Sequence, residues 1–286
     1  MLKVIYKLFV NGFFLFWKTN CHYFFISLRS MKTSILILCT LFLTLTAFSQ
    51  EQKSAFKGGE WLRYKMNYSG FLRAGTAILE IEETSLKGEK VFHTKGTGWT
   101  SGMIKWFFKV DDVYESYFDK DTIKPYLFKR KIDEGGYKKH RITSFDYSSN
   151  NAYIQDFEKQ KDTTVPFSNI QDMLSSFYYL RNQDVKGMKK GDEIAIDLFM
   201  DLQVYPFKLR FLGKEILKTK FGKVNTLVFR PLVQSGRIFK AQESVTIWIT
   251  DDENKIPIKM KADLAVGSLR AELEEFKGLA NVFKKS

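Results

Sequence analysis

The chain has 286 residues, with 45 Lys and Arg against 32 Asp and Glu and a formal net charge of +13. Hydrophobic content of 44% beside 27% charged residues excludes a disordered chain, and 5 Pro with 18 Gly exclude a collagen-like or low-complexity one. Beyond the N-terminal region no uninterrupted apolar run reaches the roughly 18 residues of a membrane-spanning helix.

Residues Met1 to Ser30 are crowded with aromatics, broken by Lys7, Asn11 and Lys18, and follow no helical or strand period. A second start lies at Met31. Lys32 is a positive n-region, Ile35 to Thr46 a short apolar stretch, and Ala47 and Ser49 are the small residues a signal peptidase reads. Residues 1–30 are therefore expected to be an over-extended gene start, 31–49 a signal peptide cleaved before Gln50, and 50–286 a single β-rich domain. The apolar run is too short for an anchor of ~20 residues. Ile37 and Leu38, bulky where lipidation wants small residues, exclude a lipid on Cys39. Both cysteines, Cys21 and Cys39, lie in this leader. The expected mature chain thus has no disulfide, thiol nucleophile or thiolate metal site.

The first strand signal is Trp61 to Tyr68, where Leu62, Tyr64, Met66 and Tyr68 alternate with Arg63, Lys65 and Asn67. His93 falls in a second, Val91 to Lys95, and is expected to be an ordinary strand histidine. Gly96 to Gly102 lacks the G-x-G-x-x-G spacing of a nucleotide loop and reads as a flexible loop. Trp99, Trp106, Phe107 and Phe108 follow it closely. They suit a core or sheet rim, or alternatively an apolar lid or membrane-interface contact. Lys129, Arg130, Lys131, Lys138, Lys139 and Arg141 flank a turn at Asp133-Glu134-Gly135-Gly136. Charges on both faces predict a projecting hairpin, either protecting a sheet edge or meeting anionic head groups. Ser148 to Asn151 reads as another turn.

Ile170, Met173, Leu174, Phe177, Tyr178 and Arg181 recur at helical spacing. A helix is predicted over about 169–182, with Ser168 and Gln171 as a capping box and a wide apolar face that must cover the sheet. A weak seam follows at Gln183 to Asp192. Alternation returns in Ile194 to Leu202, at Val245, Ile247 and Ile249, in Ile256 to Leu264, and at Leu269, Ala271 and Leu273. Asp251 to Asn254 is a turn between two of these strands. The whole predicts a mainly β chain of roughly a dozen strands. Its form is a large curved antiparallel sheet or partly open β-barrel with one packed α-helix.

Six segments, in this order and spacing, carry a resemblance. They are Gly59-Glu60 with Ala74 to Ala77, Val110-Asp111-Asp112 with Tyr114 to Asp119, Asp172 to Arg181, Phe221 to Val224, Trp248 to Asp252, and Ile256 to Ile258 with Gly267-Ser268. Together they resemble the bacterial exported family known as domain of unknown function 3108, over about Phe56 to Lys277. The resemblance implies a β-rich exported protein of Gram-negative envelopes, periplasmic or associated with the outer membrane, and implies no activity. A nucleotide is not expected: Gly213-Lys214 and Gly222-Lys223 lack the remaining elements of a phosphate loop.

No G-x-S-x-G elbow occurs, and among residues 50–286 the histidines are His93 and His140. Asp111-Asp112 and Asp251-Asp252-Glu253 offer oxygen ligands, but neighbours on a strand point to opposite faces, so neither chelates by itself, and Asp251 and Asp252 are better read as shaping a turn. No metal, cofactor or nucleic acid is expected. The leading expectation is a non-enzymatic envelope protein binding an apolar or lipid-like ligand. Phe177 and Tyr178 join the Trp99 to Phe108 aromatics as candidate contacts, and the six basic hairpin residues are candidate anionic-surface contacts. The alternatives are an assembly partner of another envelope protein, acting through Trp99 to Phe108, and a glycan or lipid hydrolase using carboxylates such as Asp111, Glu115 and Asp251.

Overall fold

A computed structural model of the chain describes residues 54–232, 244–264 and 266–286. The expected gene start at 1–30 and signal peptide at 31–49 lie outside the described residues.

Fourteen strands form one antiparallel sheet in the order β8-β7-β6-β5-β4-β3-β2-β1-β14-β13-β12-β11-β10-β9. The first eight form a meander: β1 (Glu60–Tyr68), β2 (Leu72–Leu86), β3 (Glu89–Thr100), β4 (Asp111–Asp119), β5 (Pro125–Glu134), β6 (Tyr137–Asp146), β7 (Asn151–Asp156) and β8 (Lys161–Pro166). A four-residue helix, α1 (Ile104–Phe107), interrupts the β3–β4 connection, and α2 (Met173–Arg181) follows β8. A second meander returns through β9 (Glu193–Met200), β10 (Gln203–Thr219), β11 (Gly222–Leu232), β12 (Val245–Thr250), β13 (Pro257–Asp263) and β14 (Ser268–Lys277). β14 pairs with β1, so the first strand sits mid-sheet, with Tyr68 opposite Leu269.

Local chemistry explains the meander. Gly135 and Gly136, with φ of +58° and +90°, make the two-residue turn between β5 and β6. Asp252 shapes the β12–β13 turn by accepting from the backbone N–H of Asn254 (3.0 Å) and Lys255 (3.2 Å). Bulges at Arg63/Tyr64 against β14 and at Met66/Asn67 against β2 bend β1 on both sides.

The sheet curls around α2 without closing. The helix places Leu174 with Phe128, Phe145, Ile154 and Phe199, and places Tyr178 with Phe56, Phe92 and Phe118. Its Phe177 packs toward Leu62 and Leu273, and its Leu180 toward Phe211 and Phe229. Four apolar clusters from both meanders thus share one helix. The predicted flexible loop at Gly96 to Gly102 is instead mostly strand. Gly96 lies in β3 beneath the helix, where a Cβ would come 3.3 Å from Leu174 Cδ2. Its missing side chain lets α2 approach the sheet.

The helix begins later than the spacing predicts. Ser168 and Asn169 form a bend and Gln171 bridges β9: Gln171 N–H donates to Asp197 O (2.8 Å), Phe199 N–H donates to Gln171 O (2.8 Å), and part of the free edge of β9 is covered. The capping box is Asp172 with Ser175, not Ser168 with Gln171. Asp172 Oδ1 accepts from the N–H of Leu174 (2.8 Å) and Ser175 (2.9 Å), and Ser175 Oγ accepts from Asp172 N–H (2.9 Å).

Candidate functional site

Antiparallel strands reverse at each turn, so the turns fall at two ends of the sheet. At one end stand the β1–β2, β3–β4, β5–β6 and β13–β14 connections. Contacts link them in a row. Tyr68 OH donates to Val266 O (2.9 Å), and Ser101 N–H donates to Ala74 O (3.0 Å). The Phe108 ring lies on Gly135, where a Cβ would sit 2.5 Å from Phe108 Cε2. Thr100 and Val110 exchange bonds at the neck of the α1 connection: Thr100 N–H donates to Val110 O (3.2 Å), and Val110 N–H to Thr100 Oγ1 (2.8 Å).

That row holds aromatic side chains in water. Phe71 is 85% exposed, Trp106 85% and Phe107 84%, while Trp99 and Phe108 are about half-exposed. No side chain of α1 is buried. Of the predicted contacts, Trp99, Trp106, Phe107 and Phe108 therefore share one end. Phe177 and Tyr178 lie apart from them: Tyr178 is fully buried, 4.6 Å from Phe56 and 5.7 Å from Phe118 between ring centroids, and Phe177 packs beside it at 5.1 Å. Phe71 was missed, since a single aromatic after Gly70 carries no period.

The basic hairpin does not project with all its charges free. Arg130 Nη1, Lys139 Nζ and Arg141 Nη1 converge on Asp201 Oδ1 from the β9–β10 turn, at 2.7, 2.6 and 3.3 Å. Arg141 Nε also reaches Asp156 at 2.7 Å. Burial would raise the Asp201 carboxyl, but Lys139 and Arg130 hold it below its ordinary value. The curl brings β9–β10 across to β5–β6, so Lys139 and Arg141 are buried on the concave side. Lys129 pairs with Glu115 at 3.4 Å. Lys131 and Lys138 remain exposed with no carboxylate partner among the described residues.

Under the aromatic row, Asp112 is buried and accepts from Asp133 N–H at 3.2 Å. Burial, reinforced by the hydrogen bond and charge of Glu134, pushes its carboxyl up to about 6.

The opposite end is a polar lock. Arg181 Nη1 and Nη2 bind Glu60 Oε1 and Oε2 at 2.6 and 2.8 Å, fully buried. The same guanidinium donates to Asn254 O (3.0 Å) and Ala55 O (3.0 Å). Asn281 N–H and side-chain amide hold Asn254 Oδ1 and Ser54 O, each at 2.9 Å. Burial would lower the Arg181 pKa, but Glu60 keeps it above its ordinary value.

On the lock side the β13–β14 ladder stops at Lys259↔Glu272. Residues around that break, with the end of β10, line a cleft of about 480 Å³. Leu217, Ile258 and Leu273 supply apolar lining, and Lys65, Lys218, Lys220 and Lys259 supply positive charge. Lys220 Nζ donates to Glu274 O at 2.6 Å. Glu272 and Glu274 oppose the lysines, but Glu274 is already bound to Arg63 Nε at 3.0 Å. Burial would raise Glu274, yet Arg63, then Arg73 and Lys220, keep it below its ordinary value.

His93 is not near this cleft. It hydrogen-bonds Glu82 and Glu115, each at 3.1 Å, and stacks on Tyr117. The carboxylates considered for hydrolysis are not brought together: Asp111 and Glu115 are on β4, and Asp251, in the turn after β12, pairs with Lys214 at 2.7 Å. Among the described residues no three His, Cys, Asp or Glu side chains form a metal-sized group. None of the described helices is long and apolar enough to cross a membrane.

No curated protein matches the sequence. The chain is similar in fold to a β-barrel-like protein of domain of unknown function 1849 from Brucella abortus, with a TM-score of 0.51 and 13% identity over 78% of this chain and 99% of that one. A DUF1089 family protein from Pseudomonas aeruginosa is more distant, with a TM-score of 0.33 and 11% identity over 66% of this chain and 89% of that one. The family described as "Protein of unknown function (DUF3108)" matches residues 63–274, spanning the sheet from β1 to β14, and the chain belongs to that family.

Proposed function

We propose that this protein is an exported, non-catalytic binding protein of the bacterial envelope, and that its ligand is an anionic, lipid-like amphiphile. The single observation that carries the reading is the lysine-rimmed cleft with its apolar lining of Leu217, Ile258 and Leu273. An acyl chain would pack on half-buried Leu217 and on the lysine stems, over Ile258 and Leu273 that are already buried beneath, and the ammonium groups favour an acidic head. The concave face of the sheet is taken up by α2, so this reading puts the ligand in the cleft, whose lining is more apolar and more basic than that of the smaller cleft beside Trp61 and His93. The leader-like segment at 31–49 supports export.

Native mass spectrometry of the protein taken from its own envelope without detergent, followed by organic extraction, tests this. A stoichiometric anionic lipid adduct is expected. Replacing Lys218 and Lys259 by Glu is expected to weaken binding of a long-chain fatty acid probe about tenfold or more. A bare mass together with no fatty acid binding sinks the reading.

A further inference from the structure

We infer that the aromatic end is a membrane-docking tip that inserts its exposed rings among the head groups of an anionic bilayer. The observations come from three turns that only the fold brings together. Phe71 from β1–β2 and Trp106 and Phe107 from α1 stand almost wholly in water, at the same end of the sheet as the Phe108 ring on the β5–β6 turn. A helix with no buried side chain contributes nothing to a core, yet its neck is held by the Thr100–Val110 bonds. The fold therefore presents these rings outward on a fixed stalk.

The charge around the rings selects the occupant. Lys105 directly precedes Trp106 on α1, and Lys131 and Lys138 stand on the two strands of the adjacent hairpin, all exposed and without a carboxylate partner among the described residues. Lys109 is paired with Asp133 at 3.1 Å, and exposed Asp111 and half-buried Glu134, next to Asp112, are the carboxylates opposing the free lysines. Indole and phenyl rings mixed with lysines match a bilayer interface, where rings enter at head-group depth and ammonium groups meet lipid phosphates. Rings carried on separate narrow turns suit a soft lipid surface better than the broad patch of about 800 Å² that a stable protein partner covers. None of Phe71, Trp106, Phe107 and Phe108 lines the lysine-rimmed cleft, so the two sites can be varied separately.

The test is flotation of the purified protein with vesicles of phosphatidylglycerol and phosphatidylethanolamine, beside vesicles of phosphatidylcholine alone. Flotation with the anionic vesicles, weaker with phosphatidylcholine, is expected. Trp106→Ser with Phe107→Ser should lower the bound fraction about tenfold, and Lys105→Glu with Lys138→Glu should lower it in a salt-sensitive way. Lys218→Glu with Lys259→Glu in the cleft should leave flotation unchanged. Circular dichroism and the unfolding midpoint should match the parent for the tip variants. Failure to float with anionic vesicles overturns the inference, as does equal flotation of the Trp106/Phe107 variant. A concentration-dependent dimer that this variant abolishes, without flotation of the parent, would assign the tip to a second copy instead.

Discussion

The two ends of the sheet invert the usual placement of residues. At the lock end a full ion pair, Glu60 with Arg181, sits in the interior and every observed donor of the guanidinium has an acceptor. At the tip, large rings sit in water with little to pack on. The first arrangement is tolerable only because charge and hydrogen bonds are satisfied together. The second costs no core packing because α1 hangs outside the sheet. Buried charge and exposed rings are thus divided between ends, and substitutions should separate their effects on stability.

The largest effect is expected at the lock. Arg181→Met leaves the Glu60 carboxylate buried and alone, a change that costs about 3–5 kcal/mol. Urea unfolding should show it, and adding Glu60→Gln to the same chain should restore part of the loss. Equal destabilisation by the single and double variants would mean that packing, not charge, fixes this end.

A smaller effect is expected from Asp112 beneath the tip. Its folded pKa is raised to about 6 from the ordinary 3.8. Between those values the native state holds more protons than the unfolded chain, so this group's contribution falls as pH rises through about 6 and returns on acidification. Asp112→Asn, neutral throughout, should raise the unfolding midpoint at about pH 8 and lose that advantage near pH 4. Asp172, also pushed up to about 6 by burial, has the same sign, so the difference between the two proteins isolates Asp112. A constant difference across pH would place the effect elsewhere.

The smallest effect belongs to the rings. Trp106→Ser with Phe107→Ser should change the unfolding free energy by no more than about 0.5 kcal/mol, the range for exposed positions. A loss near that of Arg181→Met would abolish the contrast between the ends.

Much of the sheet is legible in the sequence because period-two alternation and turn residues are local. β1, β13 and the turns at Gly135-Gly136 and Asp251 to Asn254 lie where their patterns place them, whereas β9 stops at Met200 and the last two positions of its pattern, Asp201 and Leu202, form a turn. The position of α2 against the sheet was legible from its apolar face, but its start was not. Gln171 is held by the free edge of β9, a partner no local window contains. The same limit hid the lock, whose two charged residues are 121 positions apart. The basic hairpin was misjudged because Asp201, which gathers Arg130, Lys139 and Arg141, arrives from the other meander. The aromatic segment was legible as a composition, whereas its outward presentation beside Phe71 depends on three separate turns.

The place of β1 in the sheet sets an order for folding. A growing chain makes β1 first and β14 last, yet these two strands are neighbours. The first meander can pair strand by strand through short turns. Until β14 arrives, however, the other side of β1 is a bare edge with its hydrogen-bonding groups open. The closing contact spans nearly the whole domain, the kind of long-range pairing that slows folding. Folding therefore completes only after the last strand is released, and a chain held extended until then, as during passage across a membrane, avoids exposing a half-built sheet.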